Sequence, residues 1–414
     1  MSAPHSGPNS KAPVPVSERI LLLDALRGFA LLGVLLVHAN HLAADVSIAS
    51  PDAGVLINPE LDRWVDRLVR VFVEEKAQTL FSVLFGIGFA IQMTRLENRV
   101  DDAASVYRRR LIGLLAIGLL HVALLPAADI LLYFALGGFA LLFVRSWRTA
   151  ALAGVGIVLA LVAMPTASVL GVMGTGSHQG DTLGNLNLPA LYQHGRYLEI
   201  MEMRWQKLWF IDHPLRGLLT LQVYVLGRLM MGVAVVRTGF LAQPRRYRRS
   251  LIWTAVIGLL GGLLLTESLQ IERLEESAGW IGNPAFWRSL ALYFQQAGTL
   301  LLAAGYAALF ALAWQVGAGC RLLSFFSPIG RMAVTNYLLQ SLFLSLVFYG
   351  FGLGMLGRLG SAPCFLLALG FFSLQCVFSR LWLNSYQFGP VEWLWRGWTY
   401  NKWPVLRRQP GAVA

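Results

Sequence analysis

The chain has 414 residues, of which 56% are hydrophobic and only 14% charged, with a net charge of +12 and a mean hydropathy of +0.58. A soluble domain carries about 25% charged residues, so this composition leaves too little polar surface for one and points to a lipid bilayer as the partner. The positive charge sits mainly in short segments between apolar runs, with no basic face interleaved with stacking aromatics, which speaks against nucleic acid. Cys320, Cys364 and Cys376 have no metal or redox spacing and read as packing residues, and no metal site is expected.

The fold class expected is all-α: a polytopic membrane protein with about ten transmembrane helices, each needing roughly 20 apolar residues. Strands are disfavoured because no short alternating barrel repeats occur. Residues 1–18, rich in Pro and Ser, read as a disordered cytoplasmic tail. The run Ile20–Val37 carries Asp24 and Arg27 and exceeds a signal-peptide core, so it reads as an uncleaved first span. The spans fall at 20–42, 78–94, 111–125, 130–144, 149–170, 217–236, 250–266, 290–316, 332–350 and 363–383, within a transmembrane domain of residues 19–383. Trp64 to Val73 is amphipathic and suits the membrane surface, and residues 384–414, with four tryptophans between Tyr386 and Trp403, read as an interfacial tail.

With the N-terminus inside, the inner segments hold 20 Lys and Arg against 11 in the outer ones. That bias places both termini in the cytoplasm. Two outer segments are long: 171–216, with His178, His194, His213, Trp205 and Trp209, and 267–289, with Glu267, Glu272, Glu275 and Glu276. Either they carry function or they are interfacial helices with an aromatic belt.

Ionisable residues inside spans are costly and are functional candidates by default. Arg27 and His38 are eleven residues apart, so they share one helix face within about 20° and are separated by roughly 16 Å. A cation in the inner half could hold a phosphate and an imidazole near the outer end could act as a base. The alternative is an Asp24–Arg27 pair and an interfacial histidine. Arg110 and His121 repeat the spacing, and Asp129, after the Pro126 turn, falls at the depth of His121, either to orient it or to cap a helix. Glu74, Glu75 and Lys76 enter the second span, facing an outer cavity or forming a charged lip. Ser82 and Gly86 allow close helix approach. Arg228 lies mid-membrane and calls for an internal anionic partner. Arg331 opens the ninth span, where a helix N-terminus would suit an anion or the arginine would anchor the interface.

These residues together resemble the YeiB-like family of bacterial inner-membrane proteins. The motifs are Leu23-Asp24, Arg27-Gly28 to His38, Asn58-Pro59, Glu75-Lys76 with Leu80 to Gly88, and His121 with Asp129 to Tyr133. In the C-terminal half they are Gly330 to Ser341 (which includes Asn336), Phe348-Tyr349-Gly350 and Gly389 to Arg396. The family looks like a branch of the transmembrane acyltransferases, which include O-acetyltransferases of surface polysaccharides and heparan-α-glucosaminide N-acetyltransferase. That resemblance implies acetyl-CoA or another acyl-CoA as co-substrate, bound by Arg27 with Arg228 and Arg331. It also implies a small-molecule or glycan acceptor on the outer side, deprotonated by His38 with His121 and Asp129 assisting. Many YeiB-like members carry Asn at the position of His38, a departure that favours catalysis in this chain. Asp24, Glu75, Lys76 and Asn336 are further candidates. The family implies a bacterial plasma membrane, and association into a homo-oligomer is compatible with it. Two other readings stand beside acyl transfer: a transporter or flippase of an anionic solute, and a non-catalytic membrane scaffold.

Overall fold

The computed structural model describes residues 21–44, 58–169, 188–206, 214–239, 246–267 and 284–408. Among them the protein is helical, with no strand beyond one isolated bridge between Tyr386 and Arg407. In chain order the helices are α1 (Leu21–Ala44), α2 (Pro59–Phe72), α3 (Lys76–Glu97), α4 (Ala103–Leu124), α5 (Leu131–Val144), α6 (Thr149–Val169), α7 (Leu188–His194) and α8 (Tyr197–Gln206). They continue with α9 (Pro214–Arg237), α10 (Arg248–Glu267), α11 (Pro284–Trp314), α12 (Gly317–Leu323), α13 (Ser327–Arg331), α14 (Ala333–Phe348), α15 (Ser361–Ser385) and α16 (Pro390–Tyr400).

Each expected span falls on a helix, and seven of the described helices are long and apolar enough to cross a membrane, or eight if the bent stretch Gly317–Phe348 counts as one. Two of the others fall short for plain reasons. Near its start α4 carries Arg108, Arg109 and Arg110, and α5 has only 14 residues, a rise of about 21 Å. The N-terminal tail and most of both long outer loops, with His178, His213, Trp209, Glu272, Glu275 and Glu276, lie outside the described residues.

Absent side chains let the helices meet. A Cβ on Gly28 would strike the Phe326 carbonyl, and one on Gly330 would strike the Asp24 carbonyl, so α1 and the 324–331 stretch sit backbone to backbone. Gly86 of α3 likewise meets Leu229 of α9, and Gly232 meets Val83. In lipid, where apolar burial gives helices no drive to associate, such close packing does.

Helix α2 is capped by Asn58, whose side chain accepts from Leu61 N–H at 3.1 Å, with Pro59 at the first helical position. Its apolar face leaves Leu61, Trp64, Leu68 and Phe72 exposed, as an interfacial helix would. The break to α3 falls at Glu75, held at φ 60°. A second break, of 79°, separates α13 from α14 at Met332 and leaves the first N–H groups of α14 inside the bundle. Glu392 of α16 satisfies them: its carboxylate accepts from Val334 N–H at 2.7 Å, Thr335 N–H at 3.0 Å and the Thr335 hydroxyl at 2.5 Å. The segment after Leu383 is therefore built into the bundle, and α16 packs along α4.

Candidate functional site

A cavity of about 230 Å³ opens where α1, α3, α4, α14 and α16 converge. Along α3 its wall runs from Phe81 and Phe85 through Gly88 and Phe89 to Gln92 and Arg95, fourteen residues or about 21 Å of helix. The aromatic end is completed by Leu131 and Phe134 of α5, with Phe134 stacked on Phe85 at 4.8 Å, and by Tyr337 of α14. The other end gathers Arg27, Arg95, Arg110, Arg331 and Arg396. One cavity is thus cationic at one end and apolar at the other.

The arginines are held by their neighbours. Arg27 donates to Asp24 at 3.0 Å, the pair expected from i, i+3 spacing, and its guanidinium lies in the space that a side chain at Gly88 would fill. Arg110 lies 3.7 Å above the Trp395 ring, while the Trp395 indole N–H donates to the Arg110 carbonyl at 2.7 Å. Nε and Nη2 of Arg331 are buried and have no hydrogen-bond partner among the described residues. Unpaired buried donors are costly, and at a cavity wall they suit an anion. Burial pushes the Glu392 carboxyl above its ordinary range, against the hydrogen bonds from Thr335 and Val334 that favour its ionised form.

Two imidazoles that do not line the cavity are in contact with the Tyr337 ring. The Tyr337 ring is centred 5.3 Å from that of His121 and 6.4 Å from that of His38. His121 Nδ1 is 2.8 Å from Asp129 Oδ1, and Asp129 Oδ2 accepts from Leu132 N–H at 2.7 Å. Asp129 therefore orients the histidine and caps α5 at once, so both roles weighed for it are filled. A carboxylate on Nδ1 holds the proton there and leaves Nε2 as the basic atom; that Nε2 is buried without a partner among the described residues. His38 makes no hydrogen bond to the described residues.

The turn that carries Asp129 is fixed from outside. The carbonyls of Leu124, Pro126, Ala127 and Ala128 accept, in order, from the hydroxyls and guanidinium of Tyr197, Tyr349, Arg204 and Tyr337, at 2.8, 2.9, 2.5 and 2.9 Å. Helix α8, from one of the long outer segments, supplies Tyr197 and Arg204, which gives part of that segment a structural task.

Other expected residues lie elsewhere. Arg228 is fully buried between α3, α9 and α11, donating to Thr79 Oγ1 at 2.8 Å, the Tyr224 carbonyl at 3.2 Å and Gln296 Oε1 at 3.3 Å. Gln296 in turn donates to Glu75 at 3.2 Å, as does Thr299 at 3.1 Å, so the amide relays Arg228 to its anionic counterpart. That network does not line the arginine cavity. Lys76 is buried with its ammonium on the Arg70 carbonyl at 3.1 Å. Asn336 faces α15, donating to Ser379 at 3.0 Å beside the Gln340–Gln375 bond at 2.9 Å. It ties two helices together, away from the cavity.

A family described as "Protein of unknown function (DUF418)" matches residues 235–402, which take in Arg331, Tyr337, Glu392 and Arg396. YxaH of Bacillus subtilis is 29% identical over 97% of this chain and 99% of its own length. YeiB of Escherichia coli is 28% identical over 92% of the chain and 96% of its own length. The chain is thus similar to both over nearly its whole length. A third relative, the "39.9 kDa protein in amylase 3'region" of Bacillus acidopullulyticus, is 26% identical over 96% of the chain and 99% of its length. No solved structure matches. The full-length matches extend the similarity to α1 and α4, which carry Arg27, His38, Arg110 and His121 and which the family match omits.

Proposed function

We propose that this YeiB-like chain is an acyltransferase of a bacterial plasma membrane, moving an acyl group, in the simplest case acetyl, from cytoplasmic acyl-CoA to an acceptor hydroxyl or amine on the outer face. The observation that carries the reading is the pairing, through Tyr337, of a cavity with five arginines and an aromatic end with an oriented imidazole beyond it. An acyl-CoA has that same polarity: phosphates at one end and a neutral thioester at the other. Arg331, with two buried donors unpaired, and Arg27, set against Gly88, would hold phosphate oxygens. The basic bias of the inner segments supports a cytoplasmic position for this end.

His121 is better furnished than His38 to act as the base, because it alone of the two has a carboxylate on Nδ1. In the reaction its Nε2 takes the acceptor proton as the acceptor oxygen or nitrogen attacks the thioester carbonyl. The carbon–sulfur bond then breaks, and the proton passes to the departing thiolate, giving the acylated acceptor and free CoA. His38 faces the same space from α1 and would steady the acceptor.

Calorimetry with acetyl-CoA on the purified full chain tests the reading. Saturable binding is expected, weakened about 10-fold or more by Arg27→Ala and by Arg331→Ala, since each charge-assisted hydrogen bond contributes about 1.5–3 kcal/mol. Absence of saturable binding by the unaltered chain would remove acyl transfer from consideration.

A further inference from the structure

Tyr337 occupies a place that no other described side chain shares. It lines the arginine cavity and is in ring contact with both His38 and His121. Only 2% of it is exposed, and its hydroxyl is spent on the Ala128 carbonyl at 2.9 Å, inside the turn that carries Asp129. Phe81, Phe85 and Phe134 line the same cavity and stack on one another, with centroid separations of 5.7 Å (Phe81–Phe134) and 4.8 Å (Phe85–Phe134). The ring is therefore the wall between the space where a thioester would arrive and the nitrogen that would activate its acceptor.

Resting on the acyl-transfer reading, we infer that Tyr337 is the specificity-determining residue that limits the chain to short acyl groups. The register of α1 makes the wall unavoidable. Arg27 and His38 lie on one face of one helix, roughly 16 Å apart, and Tyr337 stands between the cavity that holds the first and the imidazole of the second. An acetyl group presents one methyl to the edge of the ring. A butyryl group adds two methylenes, which must find room at the end of the cavity lined by Tyr337, Phe134 and Phe85. Each extra methylene in a filled apolar layer is discriminated by about 10-fold or more. Tyr337 is on this view neither the base nor the anion holder. It acts on which donor reaches the base.

The test compares donors within each variant, so the amount of folded protein cancels. Membranes from cells producing the full chain, and membranes from cells lacking it, receive radiolabelled acetyl-CoA or butyryl-CoA, and label fixed in the lipid and glycan fraction is counted. For the unaltered chain and Tyr337→Phe, acetyl should exceed butyryl by about 100-fold or more, about 10-fold for each of the two methylenes, whereas in Tyr337→Ala the ratio should fall to about 3-fold or less. Tyr337→Leu, which keeps an apolar filler, serves if the alanine variant does not accumulate, and it should fall between the two. An unchanged ratio in the alanine and leucine variants overturns the role of Tyr337 while leaving acyl transfer standing. No fixed label from either donor with any variant overturns acyl transfer itself, and the gate with it.

Discussion

Replacing Asp129 by Asn is the sharpest test of the imidazole assigned as base, because the two oxygens of the carboxylate have different partners. Oδ1 is 2.8 Å from His121 Nδ1, and Oδ2 accepts from Leu132 N–H at 2.7 Å. An amide has one oxygen. If it stays on Leu132, its NH₂ faces His121, which must then accept at Nδ1 and carry its proton on Nε2. If it turns to His121, the NH₂ opposes the Leu132 N–H and leaves a buried donor unpaired. The first choice keeps the fold and inverts the tautomer; the second keeps the tautomer and costs about 1–3 kcal/mol of stability. The first is cheaper, so Asp129→Asn is expected to unfold within a few degrees of the unaltered protein while losing about 100-fold or more of its transfer rate, the usual worth of a positioned base. The assay is fixation of radiolabelled acetyl from acetyl-CoA in membranes, with thermal unfolding of the purified variant measured in parallel. Transfer within about 3-fold of normal, with unfolding unchanged, would refute the dyad as the source of the base.

Two further outcomes follow from groups outside the dyad. Glu392 is held above its ordinary range by burial, so the folded state binds its proton more tightly than the unfolded chain does, and its ionisation erodes stability as pH rises out of the ordinary glutamate range. Glu392→Gln keeps an oxygen for the α14 amides and has no charge to bury. Its unfolding temperature should match the unaltered protein's at acid pH and exceed it as pH rises, whereas Glu392→Ala should be less stable throughout; a glutamine variant that loses ground with rising pH would show the opposite sign. Arg228→Met should lower the unfolding temperature, since Thr79, Gln296 and the Tyr224 carbonyl lose their donor and Glu75 its counterpart. It should leave acetyl-CoA affinity unchanged, and a weakened affinity at normal stability would mean that Arg228 serves the cavity after all.

What could be read in the sequence was whatever a single helix encodes. Eleven residues fix the angle between Arg27 and His38 and between Arg110 and His121 whatever the helices pack against, and the structure has both arginines on one cavity and both histidines on one tyrosine. The pairing of His121 with Asp129 was within reach for the same reason: a short turn leaves two helix ends side by side. Arg228 was legible as a buried cation in want of an anion. Its relay through Gln296 was not, because that amide comes from a helix 68 residues further along the chain.

The residues that escaped notice are those whose meaning depends on which helices meet. Arg95 sits in an inner loop by hydropathy and counts there only toward orientation. It becomes a cavity residue because α3 runs on to Glu97. Glu392 and Arg396 read as parts of an interfacial tail, since nothing local shows that one face of that helix also packs on the bundle. The 79° break at Met332 is what gives that face its partner. Ending α13 there exposes the amides of Val334 and Thr335 within a low-dielectric bundle, and such donors need an acceptor. The Glu392 carboxylate is that acceptor, and docking it draws Trp395 and Arg396 against the arginine cavity. The break and the acidic residue on the last helix are therefore one feature: without the first, the second would be an unpaired buried charge, and without the second, the cavity would lose the wall that holds Arg110 in place.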